Sequence, residues 1–558
     1  MAPRQPRPSR AARSGGWPLL AVLGAGIIAL ATTWFTLAGP LSDSGEPEPT
    51  RYTEALVGAH ERVNPLFAHL NDVDRDIASL VFSGLSRLGP DGQIFPDLAD
   101  SWEVSADGTV FTFHLRPGVL WHTGAPFTSE DVLFTYKLLA DPDLQSDPGQ
   151  SALWRQVKCA APNDLTVDCK VPEPFAPFLS FTTVGILPKL VLEGADATAL
   201  FDHAFNQNPI GTGPYRLAQM DETRAVLKAN AGYHLGAPQI DEIEFRFYPD
   251  TASASAGLSR GDVQGLLLGP GAIQSDFDTL TATDGLKAYT ANRSAYTVLY
   301  LNNSQPPLNN HSVRAAIAQA LDMDSLIAAL LGGRAVRADS PIVPGTWAAN
   351  PDLEPYPHDA EAARELLDKA GWLLPDGSDV RRRQGVELRV ALMTDRDSGR
   401  SALAQEISRQ LAEVGIAATV VNQDSTDLIR DYLIPRDYQA ALYGLDLGPD
   451  PDPYPAWHSS QISDNGRNLA AFANKEADDI LEKARQTTNL DRRQALYYTF
   501  QQIFHDEIPS VILYYPVYTY FVSDRVKGLE LGTLFDTGSR FLNTYEWMIE
   551  KAEDIGQP

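Results

Sequence analysis

Two cysteines and five methionines in 558 residues, with ten histidines of which none stands within five positions of another, leave this chain little of what metal and thiol chemistry requires. No histidine pair can share a helical face as in H-E-x-x-H zinc sites, and the two cysteines are too far apart for a C-x-x-C redox pair. A G-x-x-x-x-G-K-[ST] phosphate loop is absent. Gly211-Thr212-Gly213 is read as a structural turn, because Pro214 removes a backbone donor and no third glycine completes a cradle. Acidic residues are missing from the first forty positions, where Arg4, Arg7, Arg10 and Arg13 are the only charges. The formal charge of −27 therefore understates the acidity of the rest. Such a body is repelled by nucleic acid and by anionic lipid, so neither is expected as its partner, and no cofactor or metal is expected.

What is present begins with a charge-free apolar run over residues 17–39, WPLLAVLGAGIIALATTWFTLAG. It is long enough for the roughly 20 residues that cross a bilayer, so it reads as a signal anchor, or as a long signal peptide with Thr36-Leu37-Ala38 as a cleavage site. No cysteine follows it to carry a lipid. The basic residues 1–16 stay on the cytoplasmic side and send the acidic body out, to the extracytoplasmic face of the membrane or the periplasm. Residues 40–50, rich in Ser, Glu, Pro and Gly, read as a flexible tether. Cys159 and Cys169 flank a turn at Pro162-Asn163-Asp164 between two alternating stretches, which brings the thiols side by side as an expected disulfide.

A body this long exceeds one hydrophobic core, so two packed bodies are expected. TVFTFHL over 109–115 alternates as a half-buried strand does, and Thr128-Ser129-Glu130-Asp131 opens a helix with acid in its first turn. Strands then alternate with helices, including an amphipathic stretch over 313–331, which predicts an α/β fold with a mostly parallel sheet. Two strands, 510–515 and 518–522, close the chain and are expected to return to the first lobe.

The unusual cluster is LYGLDLGPDPDPYPAWHSSQ over 442–461, where Asp446, Asp450 and Asp452 are interleaved with prolines and with Tyr443, Tyr454, Trp457 and His458. Prolines fix such a loop, aromatics give it flat walls, and an acid held there suits a cationic group on a ligand. A proline-rich surface loop is the equal alternative. Adjacent acids such as Asp241-Glu242 and Asp478-Asp479 carry nothing among so many carboxylates.

PDLADSWEVSADGTVFTFHLRPGVLWHTGAPFTSEDVLFTY, IGTGPYRL, LNNSQPPLNNHSVRAAIAQALDMDSLI, PHDAEAARELLDKAGW, the DPDPYPAWHSS loop and RRQALYYTFQQIFHDEIPSVILYY occur in an order that resembles the peptide- and nickel-binding solute-binding proteins of ABC importers. The resemblance runs from about Tyr52 to the C-terminus. It implies a two-lobed clamp of the type II periplasmic-binding-protein kind, with an extra subdomain in the first lobe. Lobe I is expected over 51–292 with the subdomain at about 89–205, lobe II over 293–510, and a return to lobe I over 511–558. It further implies a monomeric binding protein, not an enzyme, that captures oligopeptides or a related small solute and passes them to permease subunits. Carried over, Gly58, Ala59 and His60 line the cleft from lobe I, and Tyr443, Gly444, Asp446, Asp450 and Trp457 face it from lobe II. Leu445 stands where the family has a tryptophan, and either Asp446 or Asp450 fits the acid that pairs with a peptide amine. The other readings are a membrane-tethered hydrolase using clustered carboxylates, and a solute sensor.

Overall fold

β1 (Arg51–Val57) is buried over its five central residues, as a strand with neighbours on both sides must be. After it, Asn71 caps α1 (Asp72–Val81) by accepting the backbone N–H groups of Val73 and Asp74, and Val73, Ile77, Leu80 and Val81 turn one apolar face inward. The computed structural model describes residues 49–464 and 466–550. The segments read as a basic N-terminus, an apolar run and most of the tether (residues 1–48) lie outside the described residues. Among the described residues no helix is long and apolar enough to cross a membrane.

A four-stranded antiparallel sheet follows, from β2 (Ala99–Val104), β3 (Val110–Leu115), β4 (Lys158–Asn163) and β5 (Thr166–Lys170), in the order β2-β3-β5-β4. Phe111, Phe113 and Leu115 point inward from β3 against Trp154 and Phe178, while the residues between them are only half-buried. Cys159 and Cys169 lie directly opposite each other on β4 and β5 and are joined by a disulfide, with 4.1 Å between their Cα atoms. α2 (Ser129–Ala140) covers this subdomain. Its Asp131 carboxylate accepts the N–H groups of Thr128 and Lys189 and the Trp121 indole, so one acid holds three segments.

The turn at Gly211-Thr212-Gly213 runs against the end of α1. A Cβ at Gly211 would stand 1.8 Å from the Val81 carbonyl oxygen, so only glycine allows this approach. The turn also holds His122: the Gly211 N–H donates to Nδ1, and Nε2 lies 3.1 Å from the Gly213 carbonyl. With Nδ1 accepting, Nε2 carries the proton and the ring is neutral.

Further strands, which enter the large sheet, are β6 (Tyr215–Met220), β7 (Arg224–Ala229), β8 (Glu242–Tyr248), β9 (Gly265–Leu268), β10 (Leu286–Asn292), β11 (Ala295–Leu301), β12 (Ala335–Arg337), β13 (Arg389–Asp395), β14 (Ala417–Gln423) and β15 (Ala440–Asp446). Two helices, α3 (Lys475–Gln486) and α4 (Leu490–Glu507), precede the last long strand, β16 (Ser510–Ser523). The large sheet has the order β14-β13-β15-β11-β16-β9-β1-β8-β7-β6, with β10 and β12 also pairing to β16.

The sheet is mixed where the sequence predicts a mostly parallel one. β1 pairs in parallel with β8 and β9, and β13 with β14 and β15, but β16 runs antiparallel to each of its partners. A strand that arrives from a long helix at the end of the chain is free to enter in either direction. β16 is also one strand where two are predicted. Pro516, which suggests a break, falls where β16 leaves β11 for β9, so its missing N–H costs the ladder little.

The helix predicted over 313–331 is two, His311–Ala320 and Met323–Leu331. Asp322 turns the chain between them and caps the second by accepting the Ser325 N–H. Burial follows the split of the sheet into two lobes. Tyr52, Ile77, Phe245 and Tyr520 join the subdomain in one core, and Leu266, Phe277 and Phe521 form another on the opposite face. In lobe II, Leu299, Ile407, Leu442 and Leu513 pack on one face, with Val298, Trp457, Phe500 and Ile512 on the other.

Candidate functional site

The strands of lobe I end where the chain turns over Gly58. This residue has φ of +119°, a conformation that L side chains rarely adopt, and its N–H donates to the Tyr248 carbonyl at the end of β8. Gly58 and Ala59 are exposed, and the half-buried His60 ring lies against Phe247, with 5.5 Å between centroids. Beside this turn a cavity of about 290 Å³ opens between Leu56-Val57, Leu267 to Gly269, Asp72 and Tyr518. In an open α/β sheet, the carboxyl ends of parallel strands are where a crevice forms.

Asp76 and Arg540 also belong to the cavity wall. Arg540 donates through Nε to Glu54 at 2.9 Å and through Nη2 to Asp76 at 2.7 Å. Glu54 also accepts the Tyr520 hydroxyl at 2.7 Å, and Asp76 that of Thr537 at 2.6 Å. Burial pushes both carboxyls above the ordinary range and the shared guanidinium pulls against it. Every oxygen of the two acids has a partner, so the cluster ties β1, α1, β16 and the C-terminal segment together and leaves no unpartnered oxygen for a ligand.

The residues expected to face the cleft from lobe II lie at the end of β15 and in the loop after it. Tyr443 and Gly444 are half-buried, and the space beside the Gly444 Cα is open. Asp446 is 78% exposed and has one distant cationic neighbour, the Arg293 Nε at 3.7 Å. The Arg293 guanidinium lies 6.0 Å from the centre of the Tyr518 ring. Tyr518 thus joins the lobe I cavity to Asp446. Burial raises its phenol, Arg293 opposes, and Asp72 of lobe I and Asp446 of lobe II add to the rise.

Two residues expected to face the cleft do not. Asp450 gives both oxygens to Arg493, at 2.6 and 2.7 Å, and is only 14% exposed. Trp457 is 1% exposed and packs edge-on against Phe504 at 4.6 Å. The proline-rich spacing carries the acid and the aromatic inward, where an arginine and a hydrophobic core take them. Asp452 is likewise held, by the Arg485 Nε at 2.7 Å. Arg293, Tyr518 and Asp72 were absent from the expected set, and the one signal for Arg293 is its place just before a fully buried strand.

Gly257-Leu258-Ser259-Arg260-Gly261 spells G-x-S-x-G, although no nucleophile elbow of that pattern is expected from the sequence. It closes a helix, Thr251–Ser259, instead of following a strand, and the Ser259 hydroxyl meets Thr283, so it is not a nucleophile elbow. Among the described residues no group of three His, Cys, Asp or Glu could hold a metal.

Residues 93–495 match the model of the bacterial extracellular solute-binding proteins, family 5 Middle. The dipeptide-binding protein of Escherichia coli is 29% identical over 462 residues, covering 78% of this chain and 83% of its own. NikZ from Campylobacter jejuni, solved in complex with Ni(L-His), superposes with a TM-score of 0.67 at 27% identity, over 90% of this chain and 99% of its own. HbpA2 from Haemophilus parasuis shares the fold, with a TM-score of 0.78 at 22% identity over 90% of this chain and 100% of its own.

Proposed function

Because the chain belongs to the bacterial extracellular solute-binding proteins of family 5, we propose that it captures a peptide or related small solute between its lobes and delivers it to the permease of an ABC importer. It binds its solute without converting it. Residues 17–39 hold it at the outer face of the membrane or export it. On this reading lobe II ends near Pro516 and not at 510, since β16 stays paired with β11 as far as Tyr514.

The observation that carries the proposal is the pairing of a cavity at the strand ends of lobe I with an exposed, weakly engaged acid on lobe II, linked through Tyr518 and Arg293. The carboxylate of Asp446 accepts the charged amine of the solute, while Gly58 to His60, Tyr443 and Gly444 shape the walls. A solute that touches both lobes only when they are shut shifts the population toward the closed state.

Titration calorimetry on the full chain tests this with tri-alanine and its N-acetylated form. Wild type is expected to bind the free amine, and Asp446→Asn to bind it at least about tenfold more weakly, as loss of a charged hydrogen bond implies. Equal affinity for both peptides, or for both proteins, overturns the amine anchor. Recovery of cleaved peptide overturns the binding-only reading.

A further inference from the structure

Far from the strands that join the lobes, the subdomain of lobe I reaches lobe II again. The Ala176 N–H donates to the carbonyl oxygen of Arg485 on α3, at 2.6 Å. The Arg485 guanidinium lies between two rings, 5.1 Å from the centre of Phe175 in lobe I and 4.1 Å from that of Tyr454 in lobe II. Its Nε is held by Asp452. Phe175 packs against the lobe I core, whereas Ala477, Ile480 and Leu481 of α3 lie in a lobe II core, so the contact crosses between bodies. A second bridge stands nearby: the Trp347 N–H donates to the Asp91 carbonyl at 3.0 Å, and the Trp347 ring lies 5.4 Å from the Arg493 guanidinium that Asp450 holds.

We propose that Arg485 is an interlobe clasp, splinted by Asp452 and seated against Phe175, that favours the shut clamp through contacts the protein makes with itself. The inference rests on the two-lobed binding reading and adds to it a role for the second half of the acidic loop. Asp450 and Asp452 hold Arg493 and Arg485 in the places where lobe I meets them. A flat guanidinium sandwiched by two rings gains cation–π attraction that is lost when the rings part, so the contact acts on the open–shut equilibrium.

Spin labels on Leu190→Cys in lobe I and Val386→Cys in lobe II, both exposed positions, report the distance between the lobes in the full-length protein by pulsed electron resonance. Without added solute, the parent is expected to populate a short distance. Arg485→Ala and Phe175→Ala are each expected to raise the long-distance fraction about threefold or more. A parent that shows only the long distance, or an unchanged distribution in either variant, overturns the clasp. Tri-alanine titrated into the same labelled parent tests the binding reading separately. Distances that respond to the peptide but not to either substitution sink the clasp alone, and distances that respond to the substitutions but not to the peptide leave the clasp standing while the peptide reading fails.

Discussion

Asp446, which ends β15, and the pair Asp450 and Asp452 in the loop after it lie within seven residues, share a chemistry, and sit in opposite surroundings. The first is solvated and has one loose neighbour, whereas the other two are sunk against arginines from α3 and α4. A carboxylate whose oxygens are both engaged is part of the scaffold, since surrendering them to a ligand would strand a buried guanidinium. Only a carboxylate with oxygens to spare can greet an amine. Position in the motif does not separate the two kinds; burial and partners do.

The widest way to break this contrast is to remove a scaffold partner. Arg493→Ala leaves Asp450 without its guanidinium in a nearly buried site, and is expected to cost about 3–5 kcal/mol in a urea denaturation series. A loss below about 1 kcal/mol would place Asp450 with the solvated acids.

A group kept uncharged sharpens the contrast from lobe I. Burial lowers His122 to about 4, the Gly213 carbonyl opposing and Arg216 adding to the fall. The folded value lies below the unfolded one of about 6.5, so the unfolded chain binds the extra proton first. Stability from this group is present above about pH 6.5 and is lost as pH falls toward 4, by up to about 3 kcal/mol. His122→Asn is expected to remove most of that slope, read as the difference in urea midpoints between pH 7 and pH 4.5 for variant and wild type. Parallel slopes would mean that the ring carries no such load.

Asp446→Asn is expected to leave the same midpoint within about 0.5 kcal/mol while it weakens peptide binding, the reverse of Arg493→Ala. A midpoint that falls as far as in the arginine variant would make Asp446 scaffold as well. Gly444→Ala gives the smallest change: its methyl enters open space, so the fold is expected to hold within about 0.5 kcal/mol, with any effect confined to bulky solutes in the same calorimetry.

The difference between these residues also marks what could be read from the chain. TVFTFHL predicted β3 because its alternation is local, and Thr128-Ser129-Glu130-Asp131 opens α2 for the same reason. The disulfide partners sit on neighbouring strands of one hairpin, ten residues apart. Asp450 and Trp457 were misread because their partners, Arg493 and Phe504, belong to a helix whose packing the loop does not encode. The Glu54–Asp76–Arg540 cluster gathers both ends of the chain, and no window of sequence contains it. The family resemblance supplied the two lobes, but not which acid of the loop is free, because a shared motif fixes residue types more firmly than their surroundings.

β16 feeds Ile512 and Leu513 into the two cores of lobe II, and Tyr520 and Phe521 into the two cores of lobe I. It is also the last long strand to be synthesised. Until it has left the ribosome, both lobes lack the central strand of their sheet, so neither can close its cores early. The piece that locks both halves is the piece that arrives last.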